Sequence, residues 1–402
     1  LFVTVFYSIL VFIFAELATC FPYAGGPYAY ARKGLGPFWG YMAGIVTIIE
    51  FLCASSAVAI SIGLYISKMV PSLPSAPTIL TIYAIFIFIN VIGIRAASIM
   101  QLALTIITIS ALMLFLMGTS NSLTYENLFL NTPFVNGLGG ILSAIPFAVM
   151  LYICIEGISL TAEETKNPDK AMSFGFKSSI ITVVILSISI IVFCIASADW
   201  KLFIGQDNPL LIVLSQTQPK DIVLITVFTS LALCGLLASL HGIIYGFSRQ
   251  VFSLSRAGYL PKFLSKIHPL SKAPHLAIIL PGIAGMILTQ TVNLKDLIAI
   301  TGFAASIMYI LVLFSYIRIE KIGIYHFKNK SVIKQVLVWA ALAFGILIFV
   351  LFLIQELKNA WNISSVILVV LIYYFAIGRN LIAEDAPEEI EAKVDKIQTK
   401  KY

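Results

Sequence analysis

Runs of about twenty apolar residues, separated by short polar connectors, recur along this chain, and no other feature restricts its fold as strongly. Eleven can be drawn, near residues 1–20, 39–66, 78–94, 98–118, 138–160, 178–197, 222–246, 276–291, 297–316, 335–356 and 362–378. Each has the length of a membrane-crossing helix, whereas barrel strands would alternate in character over roughly ten residues. Only 11% of the 402 residues are charged and 59% are hydrophobic, against about a quarter charged in a soluble domain. The expectation is an all-α polytopic membrane protein in contact with a lipid bilayer.

The connectors carry a second signal. Alternate loops hold 21 of the 26 Lys and Arg residues, among them Arg32, Lys33, Arg249, Arg256, Lys328, Lys330, Lys400 and Lys401; the opposite set holds the other five. Short loops rich in basic residues stay on the cytoplasmic side. This places the loop after the first span and the C-terminus in the cytoplasm and explains the net charge of +7 without nucleic acid. The parity predicts one further helix before Leu1, hence eleven visible spans of twelve. Residues 1–380 then read as a transmembrane domain lacking its first helix, and 381–402 as a cytoplasmic tail. The five cysteines fall in or beside apolar spans with no metal-type spacing, and read as packing residues without a disulfide framework. No cofactor and no metal site is expected.

One span is unlike the others. Gly137 to Lys170 begins as an apolar helix, is interrupted by Pro146, carries Glu156-Gly157 deep in the run, and ends in EETKNPDK. A buried acid costs about 2.5–3.5 kcal/mol on insertion scales, and an unpaired backbone group several kcal/mol, so such a span belongs inside protein or beside a wet cavity. Two connectors are also unusual. FPYAGGPYAYARKGLGPFWG, residues 21–40, has too many Pro and Gly for one regular helix and too many aromatics for a plain linker; it reads as a structured loop closing on the transport path. The stretch from Ser248 to His275 combines basic anchors with an Ala257-Gly258 turn.

Together, PYAGGPYAYARKGLGPFWGY, ICIEGISLTAEETKNPDKAM and YGFSRQVFSLSRAGYLPKFLSKIHP resemble the amino acid–polyamine–organocation superfamily of secondary transporters. Within it, Glu50 and ASLHGIIYGFSRQ resemble the ethanolamine permease branch. The resemblance implies a five-plus-five inverted-repeat fold of the LeuT type with two additional helices. Two broken helices would face each other at the midplane, and half-helix ends and freed carbonyls would bind substrate groups. Tyr152, Ile153, Cys154, Ile155 and Glu156 match the broken region, where backbone would contact an amine.

Four side chains are singled out. Glu156 is expected to titrate during transport or to pair with a cationic substrate; the alternative is an acid capping freed N–H groups. Glu50, mid-span, would suit a positive ligand lacking a carboxylate, or else a helix–helix hydrogen bond. His241 could couple transport to protons or simply bond a neighbouring helix. Ser239 lies in the helix that helps bind sodium in sodium-coupled relatives. Coupling to H+ or Na+ stays open. Glu16 is expected to snorkel or cap. No HExxH, GxSxG, P-loop or dinucleotide motif occurs, so the chain is not expected to be an enzyme. The reading is a plasma-membrane secondary transporter for a small cationic amine, ethanolamine first. An amino-acid permease or antiporter is the alternative, and a non-transporting sensor lies further off.

Overall fold

The computed structural model describes residues 1–129, 136–204, 208–323, 332–355, 357–383 and 385–398; Lys328, Lys330, Lys400 and Lys401 of the basic set lie outside them. The described residues form helices and connecting loops with no strand. In order these are α1 (Phe2–Cys20), α2 (Pro27–Leu35), α3 (Pro37–Met69), α4 (Ser75–Ile92), α5 (Ile94–Thr119), α6 (Tyr125–Phe129) and α7 (Gly137–Val149). A 3-10 segment, Ile155–Glu164, precedes α8 (Pro168–Ser197), α9 (Pro209–Thr217), α10 (Ile222–Arg256) and α11 (His275–Thr291). The chain closes with α12 (Leu294–Ile322), α13 (Val332–Gln355), α14 (Leu357–Ala376) and α15 (Pro387–Gln398). Eight of the described helices are long and apolar enough to cross a membrane, and α7, α11 and part of α14 are shorter apolar helices. Every expected span has a helical counterpart.

Burial separates the centre from the rim. The apolar windows of α3 and α12 are 67% and 72% buried, whereas those of α5 and α8 are 11% buried. The first two are therefore the hub, packed against each other, and the last two present apolar surface to lipid. In a bilayer such packing rests on dispersion and side-chain hydrogen bonds more than on the hydrophobic effect. Side-chain hydroxyls contribute: Ser56 Oγ on α3 donates to the Gly285 carbonyl of α11 at 3.0 Å.

Three expectations are refined. The unusual span does break, but α7 runs through Pro146 to Val149. A proline removes its own N–H donor and crowds the carbonyl four residues back, but the residues after it keep their donors, so the helix continues for three residues before it fails. The aromatic loop is indeed structured: α2 buries Tyr28 and Tyr30 completely, while Trp39 stays 45% exposed. Gly26, at φ 35°, lies so close to the 3-10 segment that a side chain there would strike Ser159. Glu16 neither snorkels nor caps. Its Oε2 accepts from Tyr316 Oη at 2.8 Å and pairs with Lys334 Nζ at 2.7 Å, joining α1 to α12 and α13.

Candidate functional site

Between α7 and the 3-10 segment the chain leaves regular helix at Met150. Successive amides bond three residues back, from Met150 to Phe147, Leu151 to Ala148 and Tyr152 to Val149, at 3.0–3.2 Å. Cys154 then sits at φ 64°, a left-handed conformation that a residue with a Cβ adopts only under constraint. The reversal turns Ile153, Cys154 and Ile155 toward a cavity of about 940 Å³ bounded by α3, α5 and α10. Phe51, Ala54, Val58, Leu102 and Ile243 make its wall mostly apolar. Ser239 and His241 line it too, so residues from the bend and from α10 share one space.

Behind that wall two acids meet. Glu50 from α3 and Glu156 from the bend are both wholly buried. The Cys154 thiol donates to Glu50 Oε1 at 3.9 Å, and Tyr309 Oη of α12 donates to Glu156 Oε2 at 3.0 Å. One oxygen of each acid and the Cys154 sulfur lie within 4.8 Å of one another. Glu50 Oε2 and Glu156 Oε1 have no hydrogen-bond partner among the described residues. Tyr7 of α1 packs edge-on against Tyr309 at 5.5 Å and stacks on Tyr152 at 5.1 Å. Tyr152 itself faces away from the cavity lining, its hydroxyl shared with Thr4 at 2.8 Å and Ser187 at 3.2 Å. Of the bend residues, then, three line the cavity and two stand behind it.

His241 is placed by its neighbour. Its Nδ1 and Gln101 Oε1 of α5 are 3.0 Å apart, the helix-to-helix bond that was the plainer of its two expected roles. Ser239 is an exposed hydroxyl on the cavity wall.

Where the cavity reaches the basic-loop face it meets a dense ionic network. Arg249 holds Glu164 Oε1 at 2.8 Å, lies 4.0 Å over the Tyr245 ring, and Tyr245 Oη also donates to Glu164. Arg256 bridges Glu163, at 2.6 Å, to Glu388 of α15. The Ala24 amide donates to Glu163 at 3.0 Å. Burial pushes the Glu163 carboxyl up, but its bonds to Arg256 and to the Ala24 amide outweigh that and hold it below the ordinary carboxylate range. Beside it, Glu389 is fully buried and accepts from Arg32 at 2.6 Å, Tyr28 at 2.9 Å and Tyr259 at 3.0 Å.

Sequence reasoning treated Glu50 and Glu156 separately and missed Tyr309, Tyr7, Gln101 and Glu388-Glu389. Only the last pair carried a signal: adjacent acids after a proline, the composition of a helix N-terminus.

A helical membrane protein whose broken helix borders an apolar cavity over buried acids has the construction of a permease. The chain belongs to the amino acid permease family, whose profile matches residues 1–387. It is similar to a branched-chain amino acid permease of Bacillus subtilis, 25% identical over 330 residues, covering 77% of this chain and 70% of that one. A methylthioribose transporter of the same organism is 24% identical over 333 residues, with 75% and 70% covered. An uncharacterized transporter of Rhizobium meliloti is 25% identical over 282 residues, with 68% and 60% covered. The chain is a multi-pass membrane transporter and not an enzyme.

Proposed function

We propose that the chain is a secondary amino-acid permease that works by alternating access and takes a small amino acid with an apolar side chain. The observation that carries this reading is the bend itself, where interrupted backbone at Ile153–Ile155 borders a mostly apolar cavity with Glu50 and Glu156 directly behind. Ends of broken helices suit the polar groups of an amino acid, and apolar walls suit its side chain. The branched-chain permease among its relatives supports the apolar preference. Ile153, Cys154 and Ile155 contact the substrate by this reading, and Ser239 and His241 border its path. The basic loops and α15 face the cytoplasm, the Glu164–Arg249–Tyr245 cluster closes the inner end of the cavity, and H+ or Na+ supplies the driving force.

A second reading, a small cationic amine such as ethanolamine, is favoured by one feature, the two buried acids where a positive charge would be welcome. Competition separates the two. In proteoliposomes given labelled leucine in the external medium, unlabelled valine and isoleucine are expected to suppress uptake, while ethanolamine at equal concentration leaves it standing. Uptake of ethanolamine undisturbed by any amino acid would replace the first reading with the second. Running the assay with and without sodium at fixed pH identifies the coupling ion.

A further inference from the structure

We propose that Glu50 and Glu156 form a single proton-binding site, one carboxylic acid and one carboxylate that bind and release a proton as a unit. The assignment begins with an unfilled hydrogen-bond requirement. Each carboxyl is wholly buried, and each has one oxygen satisfied, by Cys154 or by Tyr309, and one oxygen with no donor among the described residues. Buried polar atoms in folded proteins almost always find a partner. A hydrogen carried by one acid and offered to the other provides that partner without any additional group.

Charge points the same way. Among the described residues, the ionisable groups placed against the pair are Cys154 from the bend, Tyr309 from α12 and, packed on Tyr309, Tyr7 from α1. No lysine or arginine is among them. His241 of α10 is engaged with Gln101 on α5, and Tyr83 of α4 is bonded to Ser55 on the far side of α3. Two carboxylates so close, with no cation beside them among the described residues, cannot both stay ionised in a low-dielectric interior; the like charge forces one to keep its proton. Such a pair titrates jointly.

Access comes from Cys154. It lines the cavity and its thiol also donates to Glu50, so a proton entering from cavity water meets the pair at this residue. Glu156 belongs to the bend and Glu50 to the hub helix α3, so loading the site ties two elements together, and emptying it leaves two repelling charges between them. The site therefore links proton occupancy to the position of the bend. The proton site rests on this geometry; its use in driving transport rests on the permease reading above.

The test is infrared titration of the purified full chain in lipid nanodiscs, following the protonated-carboxyl band with pH. In Glu50→Gln and in Glu156→Gln the surviving acid loses its like-charged neighbour, so its midpoint is expected to fall by about one pH unit or more. Glu50→Asp, which keeps a carboxyl, restores the coupled titration and controls for folding. If Glu156 titrates at the wild-type midpoint in Glu50→Gln, the two acids are independent and the proposal is overturned. Coupled titration in protein that takes up no amino acid upholds the pair and counts against the permease reading instead.

Discussion

Cys154 and Tyr309 are the residues on which the bend most directly depends. A non-glycine residue in the left-handed region costs of order 1–3 kcal/mol, so Cys154→Gly relieves strain that Cys154→Ala retains. The glycine variant should be about 1 kcal/mol more stable than the alanine variant by thermal unfolding in detergent. Equal stability would show that the φ of 64° is not a cost. Tyr309→Phe removes the donor to Glu156 Oε2 and leaves that buried oxygen without its partner. Loss of a buried partner costs about 1–3 kcal/mol, and a drop in melting temperature with a several-fold loss of uptake is expected. Restored stability in Tyr309→Phe combined with Glu156→Gln would locate the effect in that one bond. This scale was the least legible in the sequence. Glu156 stood out because an acid in an apolar run has a known cost, but its donor lies 153 residues away on α12, where a tyrosine looks like any other packing aromatic.

At the scale of elements, the break could be read because Pro146, Glu156 and Gly157 violate the chemistry of a spanning helix locally. Its position could not, since where a helix fails after a proline depends on what packs around the next turn. α15 shows the same limit. Its acidic start was visible as composition, but its role depends on α2 and α10 supplying Arg32, Tyr28 and Ser253. Removing one partner of a buried ion pair costs about 3–5 kcal/mol, because the other charge stays buried and uncompensated. Glu389→Ala should therefore destabilise the protein by that order. Glu391→Gln, whose side chain is 34% exposed, should cost less than about 1 kcal/mol. Similar melting temperatures for the two variants would mean that α15 does not stay docked. Glu163 adds a pH signature. Its carboxyl titrates below its ordinary value of 4.5 when folded. Its contribution is thus present above the unfolded value and is lost as pH falls through the folded one. The stability gap between wild type and Glu163→Gln should be constant near neutrality and close in acid.

For the molecule as a whole, the ionic network ties together the bend, α10, the loop before α2 and α15. Glu163 and Glu164 end the bend, Arg249 and Arg256 end α10, Ala24 begins the loop to α2, and Glu388 belongs to α15. Whole-chain architecture was the most legible level, because bilayer thickness fixes helix length and basic loops fix alternation, both of which are read locally. The network was not, because each member is an ordinary surface charge in sequence and becomes a tie only when four elements converge. If this face opens during transport, these ties must break together in every cycle. Replacing Glu163 and Arg256 with cysteines in a background lacking Cys20, Cys53, Cys194 and Cys234 allows the bend and α10 to be joined by a reducible thiol cross-linker. Cross-linked protein should bind substrate but not carry it across proteoliposomes, and reductant should restore uptake to the level of the uncross-linked double variant. Uptake that continues in the cross-linked state would mean that the bend and α10 move as one body, and that the face opens between other elements.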